Sequence, residues 1–265
     1  MSEATSVMNI TFSFAGQLLI AAVIGAASGE IGSFILLKRM ALVGDALSHV
    51  ALPGIALALA FHLDPFWGVI SALLIASPII WWLENKSDLS TDALVGLLFT
   101  TSLALGILTI PDTEILESLF GAFPALSPLE LIGTICTALV MLVGTFLLAR
   151  PFLFRIVSAE LAQSSGIGRG YDLALLVIFA VIVALGIKLV GTLLMGALTI
   201  IPAAIARNMS SGMKKYMLLS AAFGVLISTV GACIATYLGI RPGPAIVLLG
   251  VVIFVISLTA ARQQR

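Results

Sequence analysis

Unbroken apolar runs constrain this chain more than any other feature. Residues 14–36 hold one charged side chain, Glu30, and further runs cover 41–62, 66–83, 93–110, 129–149, 172–206, 216–238 and 244–261. Most reach the roughly 20 residues that a helix needs to cross a bilayer. None shows the strict alternation of a transmembrane barrel strand. Composition agrees: 60% of the 265 residues are hydrophobic and 10% are charged, against about 25% charged in a soluble globule. The expectation is an all-α polytopic membrane protein, a single transmembrane domain over residues 1–265. Thirteen basic and thirteen acidic residues cancel, which leaves no electrostatic footprint for nucleic acid. Cys136 and Cys233 form no CxxC pair and read as small packed hydrophobes.

Basic residues set the orientation, because they concentrate in cytoplasmic loops. Lys38 and Arg39, Lys86, Arg150 with Arg155 and Arg169, Arg207 with Lys214 and Lys215, and Arg262 with Arg265 fall on one side only if 172–206 crosses twice. Asp64, Asp112, Glu114 and Glu117 then lie on the other side, and Lys188 and Arg241 are the basic exceptions. This arrangement gives nine crossings, with the N-terminus outside and the C-terminus cytoplasmic. Its cost is two short segments, near 172–187 and 190–206, with the turn at Lys188 between Gly186 and Gly191. Eight spans with one re-entrant segment are the alternative. Short helices of this kind survive where protein or a water-filled cavity surrounds them, and Lys188 could also snorkel to the interface. The outer connection 111–128 is acidic and amphipathic and suits contact with an external protein. In the inner connection 150–171, Ser158 is an N-cap candidate and Gly166 a stop signal, which predicts one short helix on the cytoplasmic face.

Within the second run, Asp45 and His49 stand four residues apart and so share one helical face. Ionisable groups at membrane depth are costly and usually functional, and carboxylate with imidazole suits a divalent transition metal. If Arg39 marks the inner interface, His49 lies about 15 Å deeper at the helical rise, near the middle of the hydrocarbon. Pro53 has no N–H for the carbonyl of His49, so an acceptor is freed at the same depth. Three other polar residues are weaker candidates. Glu30 reads as a third ligand or a contact between helices. His62 and Asp64 read as an ion-entrance site or as interface decoration. Gly25 and Gly29 form a GxxxG helix-packing pattern. Gly166, Gly168 and Gly170 lack the Lys-Ser/Thr of a phosphate loop.

The run Arg39-Met40-Ala41-Leu42-Val43-Gly44-Asp45-Ala46-Leu47-Ser48-His49 with Leu52-Pro53-Gly54 resembles the permeases of bacterial ABC importers for zinc, manganese and iron, the ABC-3 family. Val190-Gly191-Thr192-Leu193-Leu194 with Ala197-Leu198-Thr199-Ile200-Ile201-Pro202-Ala203-Ala204 is similar to the second signature of that family. Glu160-Leu161-Ala162 through Gly166-Ile167 matches its cytoplasmic loop, and Gly243-Pro244-Ala245-Ile246-Val247-Leu248 its last span. The resemblance implies a type II ABC importer-like permease in the bacterial cytoplasmic membrane, working as a homodimer with two cytoplasmic ABC ATPase subunits. An extracytoplasmic metal-binding protein would deliver the ion. Asp45 and His49 would lie on the metal path, and Ser158, Ala159, Glu160, Leu161, Ala162 and Gly166 would belong to a coupling helix. Glu30 has no counterpart in the family pattern.

No cofactor is then permanently bound; Zn²⁺, Mn²⁺ or Fe²⁺ would be cargo, with zinc slightly favoured. ATP hydrolysis would belong to the partner chain, since no Walker motif is present, and this subunit would not be an enzyme. A twofold axis bringing two copies together would turn two Asp45–His49 pairs into one transient four-ligand site. A stand-alone secondary or proton-coupled carrier, with Asp45 and His49 as a proton relay, is the other transport reading. A membrane-embedded metalloenzyme is disfavoured, because the chain lacks HExxH and a clear third ligand.

Overall fold

In the computed structural model, residues 2–87, 91–109, 119 and 127–262 are described. All regular structure among them is helical. In chain order the helices are α1 (Ser2–Leu37), α2 (Ala41–Ala60), α3 (Pro65–Lys86), α4 (Thr91–Thr109), α5 (Pro128–Leu147), α6 (Ala149–Val157), α7 (Ala159–Ser164), α8 (Gly170–Val190), α9 (Met195–Met209), α10 (Met213–Leu238) and α11 (Pro242–Arg262). Seven of these, α1, α2, α3, α5, α8, α10 and α11, contain a stretch long and apolar enough to cross a membrane. The apolar part of α4, Ala93–Gly106, is shorter, and α9 has 15 residues. The expected connection over 111–128 lies almost wholly outside the described residues.

Small residues let the backbones close on one another. Gly25 and Gly29 of α1 meet α10 so closely that a Cβ on Gly25 would strike the carbonyl of Gly224, and one on Gly29 the carbonyl of Ser220. Ser228 Oγ crosses the same seam to donate to the Ala21 carbonyl at 2.6 Å. In lipid no hydrophobic force separates helix from helix, so close packing and hydrogen bonds of this kind supply the association. Gly32 meets the Thr199 carbonyl of α9 in the same manner, and Gly54 of α2 meets Gly68 of α3. The GxxxG pattern is therefore a packing seam.

The buried core runs through Ile24, Ile31 and Phe34 of α1, Leu47 of α2 and Leu175, Leu176 and Phe179 of α8. Large apolar side chains of α5 and α11, such as Val140, Val143, Leu248 and Val252, stay exposed, as a lipid-facing exterior requires. Cys136 and Cys233 are exposed as well, on the apolar exterior rather than packed inside as expected.

Two expectations from the sequence need correction. The turn in 172–206 is not at Lys188: α8 continues to Val190, and the chain reverses over Gly191–Leu194, with Gly191 at φ 86°. Gly186 stays helical, and its missing side chain leaves room for Met195 of α9 beside Ile24. Lys188 does not end the helix; its ammonium lies 4.3 Å from the centre of the Phe66 ring, a cation–π contact. The inner connection also holds two helices rather than one, since α6 precedes the expected short helix.

The ends of α8 fix its direction. Asp172 in its first turn reaches Lys38, just past the end of α1, while Lys188 near its other end covers Phe66 at the start of α3. Lys38 also reaches Glu84 near the end of α3. Helix α8 thus runs the full length of α3 in the opposite sense.

Candidate functional site

Helix α2 is almost sheathed by its neighbours, with one stripe left open. Leu42 and Leu57 are exposed, Asp45 and Pro53 are half-buried, and the positions between these turns are buried from Val43 to Ala58. At a spacing of four residues, Asp45, His49, Pro53 and Leu57 lie one above another. The stripe carries both ionisable groups of α2, Asp45 where it is partly open and His49 where a neighbouring helix covers it.

His49 is the covered member of this stripe, 4% exposed. Phe99 of α4 sets its ring edge-on to the imidazole, with centroids 4.9 Å apart. Nδ1 of His49 is buried with no hydrogen-bond partner, an arrangement that costs free energy in a permanent core. Ser48 beside it is satisfied, donating to the carbonyls of Gly44 and Asp45 at 3.0 and 2.7 Å.

The broken segment between α8 and α9 brings a second element to the site. A Cβ on Gly196 would stand 3.2 Å from the amide nitrogen of Asp45, and one on Gly44 would stand 3.1 Å from Phe179 and 3.5 Å from Gly196 Cα. The first turn of α9 is therefore seated directly on the backbone that carries Asp45. The residues resembling the second family signature thus converge on those resembling the first.

The weaker candidates stand apart. Glu30 is 4% exposed, but it faces α5 and α10 across a cavity of about 240 Å³ lined by Leu142, Val143, Phe146, Met217, Leu218 and Ala221. Its Oε2 has no hydrogen-bond partner. His62 is exposed beyond the end of α2 at φ 56°. Asp64 is the N-cap of α3, accepting from the Phe66 amide at 2.7 Å, so its role is local. Among the described residues no three His, Cys, Asp or Glu side chains gather where a metal ion could sit. Of the candidates among the described residues, Asp45 and His49 share one face of α2.

The short inner helix forms as its end signals require. Ser158 Oγ accepts from the Leu161 amide at 3.3 Å, capping α7. Gly166 takes φ 80°, and the Ile167 amide returns to the Ala162 carbonyl at 2.8 Å. Ala162 is fully buried against the body, while Ala159, Glu160 and Leu161 are exposed. Leu161 at 64% and Val157 at 81% exposure present apolar side chains at the α6–α7 corner.

Comparison with known proteins decides the family. The ABC 3 transport family model matches residues 12–261. The chain belongs to the ABC 3 transport family. The manganese import system permease protein ScaB of Streptococcus parasanguinis is 36% identical over 260 residues, spanning 96% of this chain and 93% of the relative. The high-affinity zinc uptake system membrane protein ZnuB of Haemophilus influenzae is 29% identical, spanning 91% of this chain and 95% of the relative. The solved structure of PsaBC from Streptococcus pneumoniae in complex with Fab superposes with a TM-score of 0.80 at 31% identity, over 92% of this chain and 90% of that one. An inward-facing putative metal-chelate type ABC transporter gives a TM-score of 0.69 at 17% identity, over 93% and 85%, which speaks for shared fold alone. ABC 3 membership displaces the stand-alone carrier suggested by the Asp–His relay reading.

Proposed function

We propose that this chain is the permease of an ABC importer that moves divalent transition-metal ions, manganese or zinc, into the cytoplasm. One observation carries the reading. One stripe of α2 holds a half-buried Asp45 and, four residues on, a covered His49 whose Nδ1 has no hydrogen-bond partner. Carboxylate and imidazole are two ligands, fewer than the four of a stable zinc site. Two copies related by a twofold axis along this stripe supply four. Such a site exists while the two stripes face each other and dissolves when they part, and a carrier must release what it binds.

Nine crossings follow when α4 and α9 are counted with the seven long helices, in the bacterial cytoplasmic membrane with the N-terminus outside. The exposed Val157–Leu161 corner on the cytoplasmic side is then the seat of an ABC ATPase subunit, one per permease copy. Hydrolysis occurs on that subunit, and an extracytoplasmic metal-binding protein delivers the ion. The earlier lean to zinc has no structural support. Nitrogen and oxygen donors hold zinc more tightly than manganese at any such site, so preference for manganese must come from delivery or from geometry.

The test is uptake of radioactive Mn²⁺ and Zn²⁺ by cells that lack their own importers and carry this permease with its ATPase and binding protein. His49→Ala should abolish uptake and leave membrane insertion and association with the ATPase intact. Wild-type uptake by the variant would remove His49 from the path.

A further inference from the structure

The cytoplasmic end carries a charged network that the metal path does not use. Asp172, in the first turn of α8, accepts from Nε of Arg155 at 3.0 Å and from its Nη2. Lys38 Nζ reaches the other oxygen of the same carboxylate at 3.5 Å and lies 4.0 Å from Glu84. Arg155 spends its Nη1 on the Ala159 carbonyl at 3.2 Å, the first residue of α7. Side-chain exposure is 8% for Arg155, 14% for Asp172 and 17% for Lys38. Two N–H groups of one guanidinium converge on a single carboxylate oxygen; a charged pair this well shielded is unlike the exposed bridges that contribute little, and loss of one member strands the others.

The connectivity gives the network a direction. It begins at α7, passes through Arg155 to Asp172, and ends on Lys38, three residues before α2. The turn between them is tight, with Arg39 at φ 59° and the Met40 amide bonded to the Ile35 carbonyl at 3.0 Å. Asp45 follows in the next turn. Asp172 itself stands on α8, a helix buried along most of its length, so the carboxylate has a firm base. Beside it lies a polar cavity of about 230 Å³, also lined by Glu84, Glu160 and Arg169, which leaves room for these side chains to exchange partners.

We propose that Asp172 is a positioning residue that links movement of α7 to the first turn of α2 and so to the exposure of Asp45 and His49. The proposal rests on the importer reading above. ATP-driven displacement of α7 pulls on Arg155, Asp172 hands the displacement to Lys38, and α2 turns its stripe.

The test uses the permease with its ATPase subunit and metal-binding protein in liposomes, with ion uptake and ATP hydrolysis measured in the same preparation. Asp172→Asn should lower uptake about tenfold, within the lower part of the range for an energetic coupling between sites, while hydrolysis stays within about twofold, so that ATP consumed per ion rises. Asp172→Glu should recover part of the uptake. Should Asp172→Asn fail to assemble, Lys38→Gln breaks the last link alone and should give the same split. Wild-type uptake by these variants, or uptake and hydrolysis falling together, would overturn the proposal. No ion uptake by the unaltered complex would overturn the importer reading itself, and the proposal with it.

Discussion

The α1–α10 seam and the open stripe of α2 are built from opposite materials. At the seam, glycines on both helices press against backbone carbonyls and Ser228 bonds across. Ser220 in the same seam keeps a buried hydroxyl without a partner, so the seam is held by backbone contact more than by hydrogen bonds. On the stripe, an apolar helix exposes Leu42 and Leu57 and keeps a half-buried carboxylate and an unsatisfied imidazole between them. The difference separates a part that must not move from a part that waits for something else. Interlocked backbones have one arrangement, because a small shift brings atoms into collision. A stripe open at Leu42, Asp45 and Leu57 can meet a second copy there, while the Phe99 ring has to move aside before His49 is bared.

The comparison breaks most easily at the seam. Gly25→Leu places a branched side chain where Gly224 already stands, and overpacking of this severity costs about 3 kcal/mol or more. The expected result is loss of the folded chain, seen as low yield and an early unfolding transition in detergent. Gly25→Leu folding with ordinary stability would mean that the seam is not closed.

A smaller effect sharpens the other side of the comparison. Phe99→Ala removes the ring that shields His49; the aromatic contact itself contributes about 1 kcal/mol beyond burial, and Phe99 is only partly buried at the edge of the core. In the unaltered protein, His49 should resist diethylpyrocarbonate while the exposed His62 reacts; in Phe99→Ala both should react, as read by mass spectrometry of the peptides. Equal protection of His49 in both proteins would show that Phe99 is not the cover.

How much of this was legible in the sequence follows from how far apart the partners lie. The helices around Asp45 and His49, the GxxxG packing at Gly25 and Gly29, and the ends of α7 at Ser158 and Gly166 depend on neighbours within a turn or two, and the sequence states them. The reversal at Gly191–Leu194 was placed some residues early, because Gly186 and Gly191 look alike in sequence; only the Met195 side chain filling the space at Gly186 separates them. Asp64 reads in sequence as part of an ion-entrance site or as interface decoration; the structure adds that its carboxylate accepts from the amide of Phe66 at the start of α3. Phe99 on His49, Lys188 on Phe66 and Lys38 on Asp172 join residues 50 to 134 positions apart. No local pattern signals those pairings, and they are what turn a list of spans into a mechanism. Glu30 was a candidate because a buried carboxylate in a membrane is rare, and the structure keeps it buried while turning it away from α2.

The central claim is that each chain holds half of a metal site. The most direct measurement is the stoichiometry of Mn²⁺ bound to the assembled transporter, followed by the free-ion EPR signal during titration. One ion per two permease chains, with binding lost in His49→Ala, is the result expected. One ion per chain, or undiminished binding by His49→Ala, would contradict it.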